Sequence, residues 1–169
     1  MSDGGPSEGT FEEYKQGEDI SLSSYGVLAG AFNLIFAVFL LAARLAGRPI
    51  PERVDARDIA LLGMATHKLS LVGSQDAITS PLRAPFTELR EKESSKKLDE
   101  KPRGEGLRRS VGELLTCKFC LSVWVASIFT YGLVLAPRVT RLVAALFSVV
   151  TVSDYLHQAY KVLMKEASD

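Results

Sequence analysis

From Ile20 to Ala43 the chain runs for 24 positions without a charged residue. An α-helix needs roughly 20 residues to cross a hydrocarbon core about 30 Å thick, so this run predicts a transmembrane helix. Open β-structure is excluded at that depth, because its backbone groups would find no hydrogen-bond partners. Phe119 to Pro137 is a second uncharged run, of 19 residues, and Leu142 to Tyr160 is a third apolar span of 19 that contains Asp154 and His157. A fourth segment, Asp58 to Ser74, has 17 residues and holds His67 and Lys68 near its middle. A charge at that depth costs on the order of 3 kcal/mol, so this helix either hides the two groups in a bundle or lies along the interface.

The fold class this predicts is all-α, a polytopic transmembrane helical bundle of three or four spans, with four favoured. The spans fall near 20–43, 58–74, 119–137 and 142–160, within a membrane domain of 20–163 that is followed by a short C-terminal tail, 164–169. Residues 1–19 are acidic and polar, and predict a disordered tail. The first 24 residues hold six acidic residues against Lys15 alone, which argues against a cleavable signal peptide. The charged loop 83–110 predicts a solvated linker with one short helix near Phe86 to Leu98, or a surface for a protein partner or anionic lipid.

Twenty basic and twenty acidic residues cancel, so bulk charge gives no argument for nucleic acid. The distribution of Lys and Arg is more informative. With four spans and the N-terminus inside, 13 basic residues lie on the cytoplasmic side and six outside; with three spans and the N-terminus outside, the counts are 17 and three. Both arrangements put the 83–118 loop and the C-terminus in the cytoplasm of a multi-pass protein.

Cys117 and Cys120 are the only cysteines. On a reducing side of the membrane a permanent disulfide is not expected. Three residues apart, the thiols share a helix face if the helix has begun by Cys117. Thr116 is one candidate cap, and Ser110 with Glu113 forms a capping-box pattern that starts the helix earlier. The pair reads as a packing feature, a thiol-redox centre, or half of a zinc site that His67 and His157 would have to complete. The expectation is no cofactor, with zinc as the alternative.

Lys68, Asp154 and His157 are polar groups at membrane depth. Asp154 can pair with Lys68 or hydrogen-bond His67, and the three also suggest a transporter-like polar path. After the second apolar segment, Ser80-Pro81 and Ala84-Pro85 set extended turns that Asp76, Thr79 and Arg83 can tie together. An ion pair from Arg83 to Glu113 or Asp76 would dock this loop on the cysteine helix. Small-residue patterns at Gly26/Gly30, at Ala60, Gly63, Thr66, His67 and Ser70, and at Ser122, Ala126 and Thr130 predict close helix contacts. No nucleophile, base and orienter set is visible, so the chain gives no reason to expect an enzyme, and its oligomeric state is open.

The succession ATHKLSLVGSQDAITSPLRAPF, a charged loop and GELLTCKFCLSVWVA resembles the DUF1360 family of small bacterial membrane proteins of unknown function. The positions that look like the shared motif are Lys68, Asp76, Pro81, Arg83, Glu113, Cys117, Cys120 and Trp124. Many relatives have Pro directly after the first cysteine, where this chain has Lys118; a Pro there would fix a helix start. The resemblance implies a bacterial inner-membrane protein, with a weak link to sporulation and no catalytic assignment.

Overall fold

The computed structural model describes residues 22–91 and 98–167. The predicted tail, 1–19, and the last two residues lie outside the described residues.

Four long helices make the body: α1 (Leu22–Leu45), α2 (Ala56–Gln75), α5 (Lys118–Leu135) and α6 (Pro137–Glu166). Between α2 and α5 lie a 3-10 turn (Ala77–Thr79), the one-turn helix α3 (Ser80–Arg83), an antiparallel hairpin of β1 (Thr87–Glu91) and β2 (Asp99–Pro102), and helix α4 (Gly106–Thr116). Three helices, α1, α5 and α6, are long and apolar enough to cross a membrane. Only 11%, 11% and 17% of their apolar windows are buried within the chain, so most of their apolar surface faces outward, as it does in helices solvated by lipid.

Local chemistry sets the ends. Helix α1 stops at Gly47, whose φ of 62° suits glycine; Gly47 N–H bonds to Arg44 O and Arg48 N–H to Ala43 O, a Schellman closure. Asp55 caps α2 by accepting from Arg57 N–H at 2.8 Å. Ala136 alone separates α5 from α6, with Pro137 opening the latter. Gly132 makes that tight reversal possible, since a Cβ there would sit 2.6 Å from Thr140 Oγ1.

Side-chain contacts fix the helix directions. Phe32 meets Trp124 and Phe39 stacks on Tyr131, so α1 and α5 run parallel. Ser148 Oγ donates to Leu61 O, Thr151 Oγ1 to Met64 O, and Lys68 pairs with Asp154, so α2 and α6 also run parallel. The one-residue turn makes α6 antiparallel to α5. The core, Leu62, Ala65, Val125, Phe129 and Ala144, sits where α2, α5 and α6 meet.

Several expectations need correction. The short helix expected near Phe86 to Leu98 is instead strand β1 as far as Glu91, because Thr87 to Glu91 pairs with Asp99 to Pro102; residues 92–97 lie outside the described residues. The last apolar span is longer at both ends than 142–160. Gly63, Ala60 and His67 are exposed, and a Cβ on Gly26 or Gly30 would meet nothing within 4 Å; of the expected stripe Ser70 is buried, on a face that α2 builds with Asp58, Leu62 and Ala65. Close packing comes from a small face that the sequence reading missed, Thr140, Ala144, Ser148 and Thr151 on α6, all buried.

Candidate functional site

Two constructions share one end of the bundle. The first begins where α2 stops. Asp76 turns extended (φ −73°, ψ 143°), the 3-10 turn reverses the chain, and Pro81 helps start α3, which presents Arg83 back toward α2. Arg83 Nη1 donates to Gly73 O (2.8 Å) and to Thr79 Oγ1 (2.5 Å), and Nη2 donates to Asp76 O (3.1 Å). Thr79 passes its own proton to Val72 O at 2.6 Å. The guanidinium also grips Glu100 through two 3.0 Å bonds, and Thr87 Oγ1 lies 2.7 Å from the same carboxylate. The Arg83 and Glu100 side chains are 1% and 4% exposed. Burial pushes the Glu100 carboxyl up, but hydrogen bonds from Arg83, Thr87 and Ser80 outweigh it and hold the group below its ordinary value.

This ion pair anchors the hairpin, and the rest follows from backbone contacts. Leu98 N–H bonds to Gln75 O, and Arg103 N–H to Phe86 O. Arg108 Nε donates to Pro85 O at 2.8 Å. Gly112 lets α4 lie against Phe86 O and Pro102, where any Cβ would collide. The described residues of 76–117 therefore form a built cap, and the expected Arg83 partners, Glu113 and the Asp76 carboxylate, are replaced by Glu100. The reason is register: β1–β2 pairing aims Glu100 at Arg83, whereas Glu113 faces α1.

The second construction is a cleft between α1, α4 and α5. Cys117 ends α4 and opens α5 with extended backbone (φ −90°, ψ 104°), and its sulfur accepts from Cys120 N–H at 3.2 Å. Neither expected cap operates: Thr116 turns back to Gly112 O, and Ser110 and Glu113 lie inside α4. Lys118 occupies the first position of α5, where the resemblance places a Pro and where Pro suits a helix. The neighbouring Cys120 thiol and the Cys120 N–H both favour the Cys117 thiolate and lower the Cys117 pKa, although burial opposes it. Tyr25 of α1 donates to Glu113 Oε2, and Arg109 Nε holds the other oxygen at 3.2 Å. Trp124 meets Phe32 edge to face, 5.3 Å between centroids. Around them lies a cavity of about 540 Å³.

The sequence-predicted residues thus separate into groups. Arg83, Asp76 and Pro81 meet in the cap with Glu100, Thr79 and Thr87. Glu113, Cys117, Cys120 and Trp124 all line the cavity, with Tyr25 an unpredicted member. Lys68 and Asp154 pair at 2.7 Å with 21% and 57% exposure, while His157 is exposed and joins no such pair. His67 stacks on Tyr155. Among the described residues no three His, Cys, Asp or Glu side chains come together as a metal site, so the histidines do not complete a shell around the thiols.

Residues 61–160 match the family described as "Protein of unknown function (DUF1360)". The chain belongs to the DUF1360 family. The "Sporulation protein YjcA" of Bacillus subtilis (strain 168) is 28% identical over 99 residues, which cover 57% of this chain and 84% of that relative. No solved structure matches. The DUF1360 segment contains the whole cap and the cysteine pair and leaves out α1, which supplies one wall of the cleft.

Proposed function

We propose that this DUF1360 protein is a four-span protein of the bacterial cytoplasmic membrane that acts without turnover chemistry, presenting the 76–117 cap at the cytoplasmic face to a protein partner or to anionic lipid. The observation that carries the reading is the enclosed Arg83–Glu100 pair, 1% and 4% exposed. Such a pair is a poor source of net stability but fixes one geometry, and here that geometry belongs to a cap outside the apolar spans.

Crossing by α2 is supported by its place beside α5 and α6: its 20 residues rise about 30 Å, which matches a hydrocarbon core. The exposed side chains Arg90, Lys101, Arg103, Arg108 and Arg109 outnumber the exposed acids Glu88, Asp99 and Glu105 on the described part of the cap. Basic residues near an anionic leaflet contribute about 1 kcal/mol each, which favours contact with acidic lipid or an acidic partner surface. The name of the Bacillus relative makes spore-forming cells the setting in which to test the role. A photo-crosslinker at Lys101 or Arg103 is expected to give a discrete protein or lipid adduct in native membranes that weakens in Arg83→Ala. No adduct above background from either position overturns the reading.

A further inference from the structure

Helix N-caps are ordinarily oxygen acceptors. Here the acceptor is sulfur: Cys117 Sγ folds over the first turn of α5 to take the Cys120 N–H at 3.2 Å. The two sulfurs are adjacent, and both line the cavity of about 540 Å³. Cys117 is half-buried and Cys120 exposed, and neither is in a disulfide. The walls are apolar and aromatic, with Leu28, Phe32, Val123 and Trp124 among them, and Glu113 is the carboxylate at the lining. Arg109 meets the Glu113 charge, so the apolar walls set the preference, and a site of this kind favours a neutral apolar molecule over a charged one.

We propose that Cys117 and Cys120 are a dithiol reaction site for neutral, apolar disulfides entering between α1, α4 and α5, with Cys117 as the nucleophile and Cys120 as the resolving thiol. The roles follow from geometry. The Cys120 N–H at the start of α5 points at the Cys117 sulfur and stabilises negative charge on it, whereas the Cys120 sulfur lies one turn further along the helix. In the first step the Cys117 thiolate attacks one sulfur of R–S–S–R, forming a mixed disulfide and expelling RS⁻. In the second, Cys120 loses its proton to solvent and attacks the Cys117 sulfur, forming the Cys117–Cys120 disulfide and expelling the second RS⁻. Two protein thiols are oxidised by two electrons and one R–S–S–R is reduced to two thiols. The product disulfide removes the sulfur cap from α5 at its junction with α4, so oxidation state is communicated to the cap. This site is independent of which side of the membrane the cap occupies, and of any partner.

The test uses the full chain in lipid nanodiscs with two probes, a neutral dipyridyl disulfide and a dianionic dinitrobenzoate disulfide. Wild type is expected to release two chromophores per chain and retain none, because its two cysteines end as a disulfide. Cys120→Ser is expected to release one and keep a stable adduct on Cys117, detected by mass, and Cys117→Ser to react about tenfold or more slowly. The neutral probe should be preferred by about tenfold over the anion, relative to the same chain unfolded in denaturant. Ala29→Phe, which fills the cleft from α1, should remove that preference while leaving the helical circular dichroism unchanged. Equal slow rates in the two single variants, a wild type carrying two stable adducts, or no probe preference each overturn the proposal.

Discussion

Arg83 places every polar arm of its guanidinium on the protein: three bonds go to the end of α2 and the turn, and two go to Glu100. Removing one partner of such a pair leaves an uncompensated charge, so Glu100→Ala or Arg83→Ala is expected to lower stability by about 3–5 kcal/mol. Thermal unfolding in detergent measures it, and a wild-type melting temperature in either variant contradicts it. The pH dependence has a definite sign. The folded carboxyl of Glu100 is held below its ordinary value, so its contribution is complete above the unfolded value near pH 4.3 and is lost as pH falls through the lower folded value. Acid melting of wild type should therefore be steeper below about pH 4 than that of Glu100→Gln. Arg83 was legible in the sequence because it sits between prolines in a polar turn after an apolar helix. Glu100 was not, since it lies among other acids and bases in a charged stretch, and only the pairing of β1 with β2 singles it out.

Among the elements, a small residue matters only where a neighbour fills the space beside it. Gly112 faces Phe86 O and Pro102, and Gly73 would place a Cβ 2.8 Å from Leu121 Cδ2, whereas Gly63 meets nothing within 4 Å. Gly112→Ala, whose Cβ meets backbone, should therefore cost about 1–3 kcal/mol in detergent stability; Gly73→Ala, whose Cβ meets the movable end of Leu121, should cost less, and Gly63→Leu should leave it unchanged. Loss of stability in Gly63→Leu would mean that this face packs against another chain. The junction of α4 and α5 allows a finer test of the sulfur cap. Cys117→Ser retains an acceptor for Cys120 N–H and should be near neutral, while Cys117→Ala should cost about 1 kcal/mol. The three apolar spans on α1, α5 and α6 were readable from run length and hydropathy, whereas Asp58 to Ser74 was not. The faces were not: Gly63 and Ala65 are equally small, but Ala65 is fully buried and Gly63 is not, a difference fixed by helix rotation against α5 and α6. The missed α6 face, Thr140, Ala144, Ser148 and Thr151, obeys the same small-residue spacing that was sought on α1 and α2.

At the scale of the whole molecule, composition leaves Asp58 to Ser74 ambiguous because His67 and Lys68 interrupt it, and helix direction supplies a test of the proposed four-span arrangement. Lys68 meets Asp154 across the α2–α6 contact at the end nearer the cap, and Asp58 meets Arg141 through two 2.8 Å bonds at the opposite end. With α1 and α5 pointing one way and α2 and α6 the other, the proposed four-span arrangement has α2 crossing in the same sense as α6 and α1 in the same sense as α5. The 46–55 loop then lies on one side, and the cap and the C-terminal end of α6 on the other. In that proposed arrangement 13 basic residues fall on the side of the cap and six on the opposite side, the bias expected of a cytoplasmic cap. In a chain whose native cysteines are replaced by serine, a cysteine at Arg53 is expected to react with an impermeant maleimide in intact cells. A cysteine at Lys101 should react only after the membrane is opened, and a reporter fused after Asp169 should read as cytoplasmic. Protection of both Arg53 and Lys101 in intact cells, with α1 entering from outside, would instead make α2 an interfacial helix and require α2 and α6 to part along the contacts that Ser148 and Thr151 make with Leu61 and Met64.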